Sequence, residues 1–123
     1  MKRTAVAILA LLLVGCTRVA PVAAGGGAGF RSPELMEEHY RKHGAEFGNI
    51  SETQYLHLAQ HLRDTPPGNG ILELDRRDGA ITKFDRRNGY FGAYDADGTI
   101  RTFFIPNDGE RYFERQARNY DRR

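Results

Sequence analysis

The spacing of apolar and polar positions changes several times along the 123-residue chain, and each change marks an element. From Ala5 to Val14 the apolar run is unbroken. From Thr17 to Arg31 there is no amphipathic period, and Pro21, the Gly25-Gly26-Gly27 run and several alanines give the composition of a flexible tether. Ser32-Pro33-Glu34 then reads as a helix start, with a hydroxyl cap, proline at the first helical position and an acid in the first turn. Leu35, Met36, His39, Tyr40 and His43 recur at helical spacing and form one stripe, with Lys42 on its flank, and Gly44 ends the helix. A second helix opens at Ser51-Glu52-Thr53-Gln54, which has capping-box spacing. Its stripe is Tyr55, Leu58, Ala59 and Leu62, and it stops before Pro66-Pro67-Gly68 because neither proline continues the hydrogen-bond ladder. Beyond that point apolar residues alternate, and the turn dipeptides Asp78-Gly79, Asn88-Gly89 and Asp97-Gly98 recur about every ten residues. The pattern predicts four strands near Ile71 to Leu74, Ala80 to Phe84, Tyr90 to Tyr94 and Thr99 to Ile105. Pro106 ends the last strand, and Asp108 is positioned to cap a short final helix holding Tyr112, Phe113 and Gln116. The fold class is therefore α+β: N-terminal helices, a four-stranded antiparallel meander and a short C-terminal helix.

Length and composition allow one compact domain and exclude a multidomain enzyme. Lys2 and Arg3 before the apolar run, and Leu13-Val14-Gly15-Cys16 after it, look like a bacterial lipobox. The chain then divides into a lipoprotein signal peptide (1–15), a lipidated Cys16 with its tether (16–31) and a folded domain (32–123). Acylation of the Cys16 thiol anchors the protein to a membrane, and Thr17, where inner-membrane retention signals carry Asp, favours the outer membrane of a cell that has one. Cys16 is the single cysteine, so the folded domain has no disulfide. Without Lys2 and Arg3 the 18 basic residues fall to 16, equal to the 16 acidic ones, and bulk charge gives no reason to infer nucleic-acid binding.

All four histidines occur as i, i+4 pairs, His39 with His43 and His57 with His61. Either pair can turn two imidazoles to one side of a helix, as a metal site requires. His57 lies opposite the apolar stripe of its helix, which makes His57 and His61 a solvated face. His39 and His43 lie on the stripe itself, where a hydrogen-bonded core histidine and a chemical role are equally open. Asp95-Ala96-Asp97-Gly98 lacks the remaining ligands of a calcium loop and reads as a turn. Arg76-Arg77 and Arg86-Arg87 fall at opposite ends of a meander, as hairpin tips rather than one track.

The string His39-Tyr40-Arg41-Lys42-His43-Gly44-Ala45-Glu46-Phe47-Gly48 resembles the Lys-His-x-x-(acid)-Phe-Gly segment of the colicin D-like ribonuclease toxins. These belong to the wider barnase, EndoU, colicin and RelE-like group. Gly98-Thr99-Ile100-Arg101-Thr102-Phe103-Phe104-Ile105-Pro106 looks like the late strand of that fold, and the similarity spans roughly Glu37 to Gln116. The resemblance implies RNA cleavage without metal or cofactor, by attack of the ribose 2′-hydroxyl on the adjacent phosphate. It implies His43 as general acid or base, Lys42 as the phosphate-stabilising cation and Thr102 as a hydrogen-bond donor to the transferring phosphoryl group. Phe104 would support or stack on a base, and His39 would be a second proton carrier. Arg101 alternates to the other strand face and stays outside the site. An immunity protein is the partner such a toxin implies. Two alternatives stand beside this reading: a non-enzymatic envelope lipoprotein that binds protein or peptidoglycan, which suits the neutral charge, and a periplasmic metal binder using one histidine pair.

Overall fold

The computed structural model describes residues 27–121; the expected leader, Cys16 and the expected tether up to Gly26 lie outside them. Helix α1 (Pro33–His43) runs into a 3-10 turn (Gly44–Phe47) and is followed by α2 (Glu52–Asp64). Strands β1 (Ile71–Asp75), β2 (Ile81–Asp85), β3 (Tyr90–Tyr94) and β4 (Ile100–Phe104) follow, and α3 (Glu110–Asp121) ends the described chain. The strands pair antiparallel in sequence order. This is the α+β meander that the apolar spacing predicts, with strand bounds within about one residue.

Local chemistry accounts for the element boundaries. The Ser32 hydroxyl accepts the Leu35 amide at 3.2 Å. Ser51 and Gln54 form a complete capping box, with the Gln54 amide on Ser51 Oγ at 3.1 Å and the Ser51 amide on Gln54 Oε1 at 2.8 Å. The C-terminus of α2 is closed from the sheet, because the buried Lys83 ammonium donates to the carbonyls of Arg63 and Thr65 and pairs with Glu73 at 3.2 Å. A cation there meets the negative end of the helix dipole. The β1–β2 hairpin turns through Gly79 at φ +86°, a left-handed conformation that glycine adopts without steric cost. Asn69 and Gly70 form a further two-residue turn that the run Pro66-Pro67-Gly68 conceals, with φ of +52° and +93° and paired bonds between Gly68 and Ile71.

Two expectations are corrected. Asp108 does not cap α3 with its side chain; its carboxylate binds Arg115, which holds the Asp108 carboxyl below the ordinary range, and the Arg111 amide takes the Asp108 carbonyl instead at 3.2 Å. Leu35 is not part of the packed stripe of α1 and remains 36% exposed, because the helix lies at the sheet edge and is covered on a narrower arc than its apolar spacing implies.

The sheet separates two apolar layers. On one face Tyr94, Ile100 and Phe103 pack against Tyr55, Ala59 and Leu62 of α2, with Phe30, Tyr40 and Phe47 at the margin. On the other, Phe84, Phe91 and Ala93 pack under Phe113 of α3, with Tyr112 and Phe104 beside them. Buried hydroxyls tie the first layer together: Tyr94 donates to the Ala59 carbonyl at 2.7 Å and Tyr55 to the Phe103 carbonyl. Ala28, Gly29 and Phe30, expected to belong to the tether, are held by the fold. The Ala28 carbonyl accepts from Arg63 and Gln60, the Ile100 amide donates to Gly29 at 2.9 Å, and Phe30 bridges to Ile100 in parallel.

Thr82 is 0% exposed and its Oγ1 has no partner among the described residues. A buried hydroxyl without a partner forfeits its hydration for nothing. Thr82→Val is therefore expected to raise stability by about 1 kcal/mol, measured by urea unfolding; a loss of similar size would show that the hydroxyl is satisfied by bound water.

Candidate active site at the outer edge of β4

Helix α1 runs alongside β4 in the same direction. Phe30, just before the helix cap, pairs with Ile100 at the start of the strand, and His43 at the helix C-terminus meets Phe104 at the strand end, with ring centroids 5.2 Å apart. A helix rises about 1.5 Å per residue and a strand about 3.3 Å, so four residues of α1 match two residues of β4. The strip along this edge has His39 and His43 on one helix face and Thr102 and Phe104 on one strand face, joined by the contact of His43 with Phe104, while His39 packs against Phe30.

Each histidine is oriented through Nδ1. His39 Nδ1 lies 2.9 Å from the Leu35 carbonyl, and since a carbonyl only accepts, Nδ1 carries the proton and Nε2 is the free nitrogen. His39 is also packed against the Phe30 ring at 4.9 Å. His43 Nδ1 lies 2.8 Å from Glu46 Oε2, while Glu46 Oε1 accepts the Ile105 amide at 2.8 Å. One carboxylate thus fixes the imidazole and clips the 3-10 turn to the end of β4. The His43 side chain is 17% exposed, so the ring is confined, and Nε2 is the nitrogen not engaged by Glu46. The two imidazole centroids stand 6.3 Å apart. Burial, and then the Glu46 carboxylate, push the Tyr55 phenol above its ordinary value, so the hydroxyl remains a donor to Phe103 at any ordinary pH.

The remaining residues take distinct places. Lys42 is exposed and its ammonium has no partner among the described residues. Thr102 is half-buried on the same sheet face as Phe104, and its hydroxyl has no hydrogen-bond partner among the described residues. Phe104, which the resemblance offers as a support for a base, is packed by the rings of His43, Phe91 and Tyr112, with centroids at 5.2, 5.3 and 5.2 Å. Arg101 sits where the register shifts between Ala93 and Tyr94, and it bonds Asp95 and Asp78 away from the strip. His57 and His61 are exposed on α2, and Arg76-Arg77 and Arg86-Arg87 occupy opposite ends of the sheet. Asp95 to Gly98 is a turn closed by the Gly98 amide on the Asp95 carbonyl at 2.9 Å. Cys16 lies outside the described residues.

Glu46 is the residue of the candidate site that apolar spacing does not reveal. Its signal in the sequence is an acid three positions after a histidine at a helix end, within reach of one helical turn. Among the described residues no group of three or more histidine, cysteine or acidic side chains is arranged to hold a metal ion. The arrangement suits proton transfer, with two imidazoles presenting Nε2, one of them backed by a carboxylate. Glu46→Ala is expected to cost about 1–2 kcal/mol, because it removes a charged acceptor from both His43 and the Ile105 amide. It should also release His43 into a mixture of tautomers, read from the ring nitrogen chemical shifts; an unchanged single tautomer would show that another group holds the ring.

No protein-family model matches the chain, and no curated protein matches it either.

Proposed function

We propose that the folded domain is a metal-independent endoribonuclease, held at the cell envelope by a lipid on Cys16. The observation that carries this reading is the carboxylate-backed His43 imidazole on the same helix face as His39, with both Nε2 atoms free. In the reaction, the neutral Nε2 of one imidazole takes the proton of the ribose 2′-hydroxyl as that oxygen bonds to the adjacent phosphorus. The bond from phosphorus to the 5′-oxygen breaks, and the second imidazole, as its cation, protonates the leaving oxygen. The products are a 2′,3′-cyclic phosphate end and a 5′-hydroxyl end. Lys42 offsets the charge that develops on the phosphoryl oxygens, and the Thr102 hydroxyl donates to one of them. Glu46 keeps His43 in one orientation through its bond to Nδ1.

A lipid anchor places such a domain where RNA is scarce, so the activity belongs to a protein transferred into a neighbouring cytoplasm, and an immunity protein would shield the producing cell. The outer membrane is the proposed station in a cell that has one. The test is tightly induced expression of residues 17–123 in a bacterial cytoplasm, with RNA ends mapped. Growth arrest with new cyclic-phosphate ends is the expected result. Normal growth with abundant folded protein and intact RNA would instead favour a binding role at the envelope, the reading that the balanced charge of the mature chain supports.

A further inference from the structure

A pocket of about 470 Å³ opens between the C-terminal half of α2 and the β2–β3 turn, on the side of the sheet that packs against α2. Its size lies within the range of small-molecule sites, roughly 300–1,000 Å³. The floor is apolar and aromatic, formed by Leu58, Ile71 and Tyr90. Tyr90 is braced from behind by Phe47 and Phe103, at 4.9 and 5.6 Å between centroids, so this wall is rigid. The rim carries His61 from the helix and Arg87 from the turn. Neither the His61 ring nor the Arg87 guanidinium has a partner among the described residues, and both are exposed. The Arg87 side chain lies against the Asn69-Gly70 turn, where its Cγ and Nε would meet a side chain on Gly70 at 3.7 Å. Asp85, the acid in the wall, does not occupy Arg87's guanidinium. Its carboxylate is taken up by the amides of Arg87 and Asn88 and by the Asn88 side chain, at 2.8 to 3.3 Å.

We infer that this pocket binds a nucleotide, with the base on the Leu58–Ile71–Tyr90 floor and the phosphate between Arg87 and His61. A flat apolar ring joined to an anion matches a rigid aromatic floor under two unpaired nitrogen donors, whereas a bare phosphate leaves the floor unused and a bare base leaves the rim unused. The pocket is joined to the His43 strip through two contacts. Phe47, which braces Tyr90, follows Glu46 in the chain, and Gly89 of the β2–β3 turn lies against Ile105, whose amide Glu46 holds. In the ribonuclease reading, on which this part of the inference rests, the pocket receives a base of the RNA strand beyond the one being cleaved.

The test is titration of the purified protein, residues 17–123, with adenosine 5′-monophosphate, adenosine and inorganic phosphate, followed by the Tyr90 ring and Leu58 and Ile71 methyl signals. The expected result is saturable binding of the monophosphate that shifts those signals, with adenosine and phosphate each binding at least about tenfold more weakly. Arg87→Glu should weaken the monophosphate by about tenfold or more, while Arg77→Glu, the same charge change at the other end of the sheet, should leave it within about twofold. Phosphate binding as tightly as the monophosphate, or Arg77→Glu costing as much as Arg87→Glu, would overturn the inference. Nucleotide binding at this pocket in a protein that leaves RNA intact would support it and sink the ribonuclease reading. RNA cleavage with no monophosphate effect at Tyr90 would do the reverse.

Discussion

In the proposed ribonuclease, His43→Ala should lower the rate of RNA cleavage by the purified domain about 10²–10⁴-fold, the span that a positioned proton-transfer group contributes. The size follows from what the ring alone supplies. Its Nδ1 is committed to Glu46 and its body to Phe104, so in the proposed mechanism the proton passes through Nε2, and alanine leaves no group there. The fold should survive, because the side chain is partly exposed and sits at the end of α1. Melting temperature therefore separates loss of chemistry from loss of structure. The measurement is cleavage of a short oligoribonucleotide, with cyclic-phosphate product quantified beside the unfolding curve of the same preparation. A folded His43→Ala protein that retains more than about a tenth of the rate would remove His43 from the mechanism.

The second large effect concerns stability and distinguishes two adjacent residues. Phe103→Ala is expected to cost about 3–5 kcal/mol, against a total of about 5–15 kcal/mol for a domain of this size. Phe103 is 0% exposed and lies among Phe47, Tyr55 and Tyr90, with centroids at 4.7, 5.5 and 5.6 Å. Its removal opens a cavity at the centre of the larger layer, and rings on three sides resist collapse. The melting temperature should fall by roughly 15 °C or more. Phe104→Ala, one position along and on the opposite face, is half-buried and should cost less in stability while impairing cleavage through the His43 ring it packs against. Equal stability losses at the two positions, in thermal or urea unfolding, would contradict the face assignment of β4.

Much of the fold was legible because its signals are local. A cap acts across three residues, as Ser32 does on Leu35 and Ser51 on Gln54, and proline acts on its own turn, so the two helices start and stop where their residues say. Strand alternation separates Phe103 from Phe104 without knowledge of what covers either face. The Asn69-Gly70 turn was hidden only because the preceding prolines already explain a break. Asp108 shows the limit of local reading: it has the right residue type for a cap, but Arg115 competes for the same carboxylate and is seven positions away.

The candidate site was legible as residue types and not as a geometry. His39 and His43 share a helix face by period alone, and Thr102 and Phe104 share a strand face for the same reason. That the two faces meet depends on the docking of α1 beside β4, and the second bond of Glu46 reaches Ile105, 59 residues away. The clamp of Arg63 on Ala28, across 35 residues, likewise makes part of the expected tether belong to the domain. The pocket under Arg87 draws its walls from α2, the Asn69-Gly70 turn and the β2–β3 turn, and no one of these contains a motif for it. The sequence by itself determined the elements, their order and which residues share a face, because backbone hydrogen bonding and side-chain period act over a few residues. Only the tertiary structure decided which faces meet, which imidazole edge is free and which cations remain unpaired, because those depend on contacts between segments far apart in the chain.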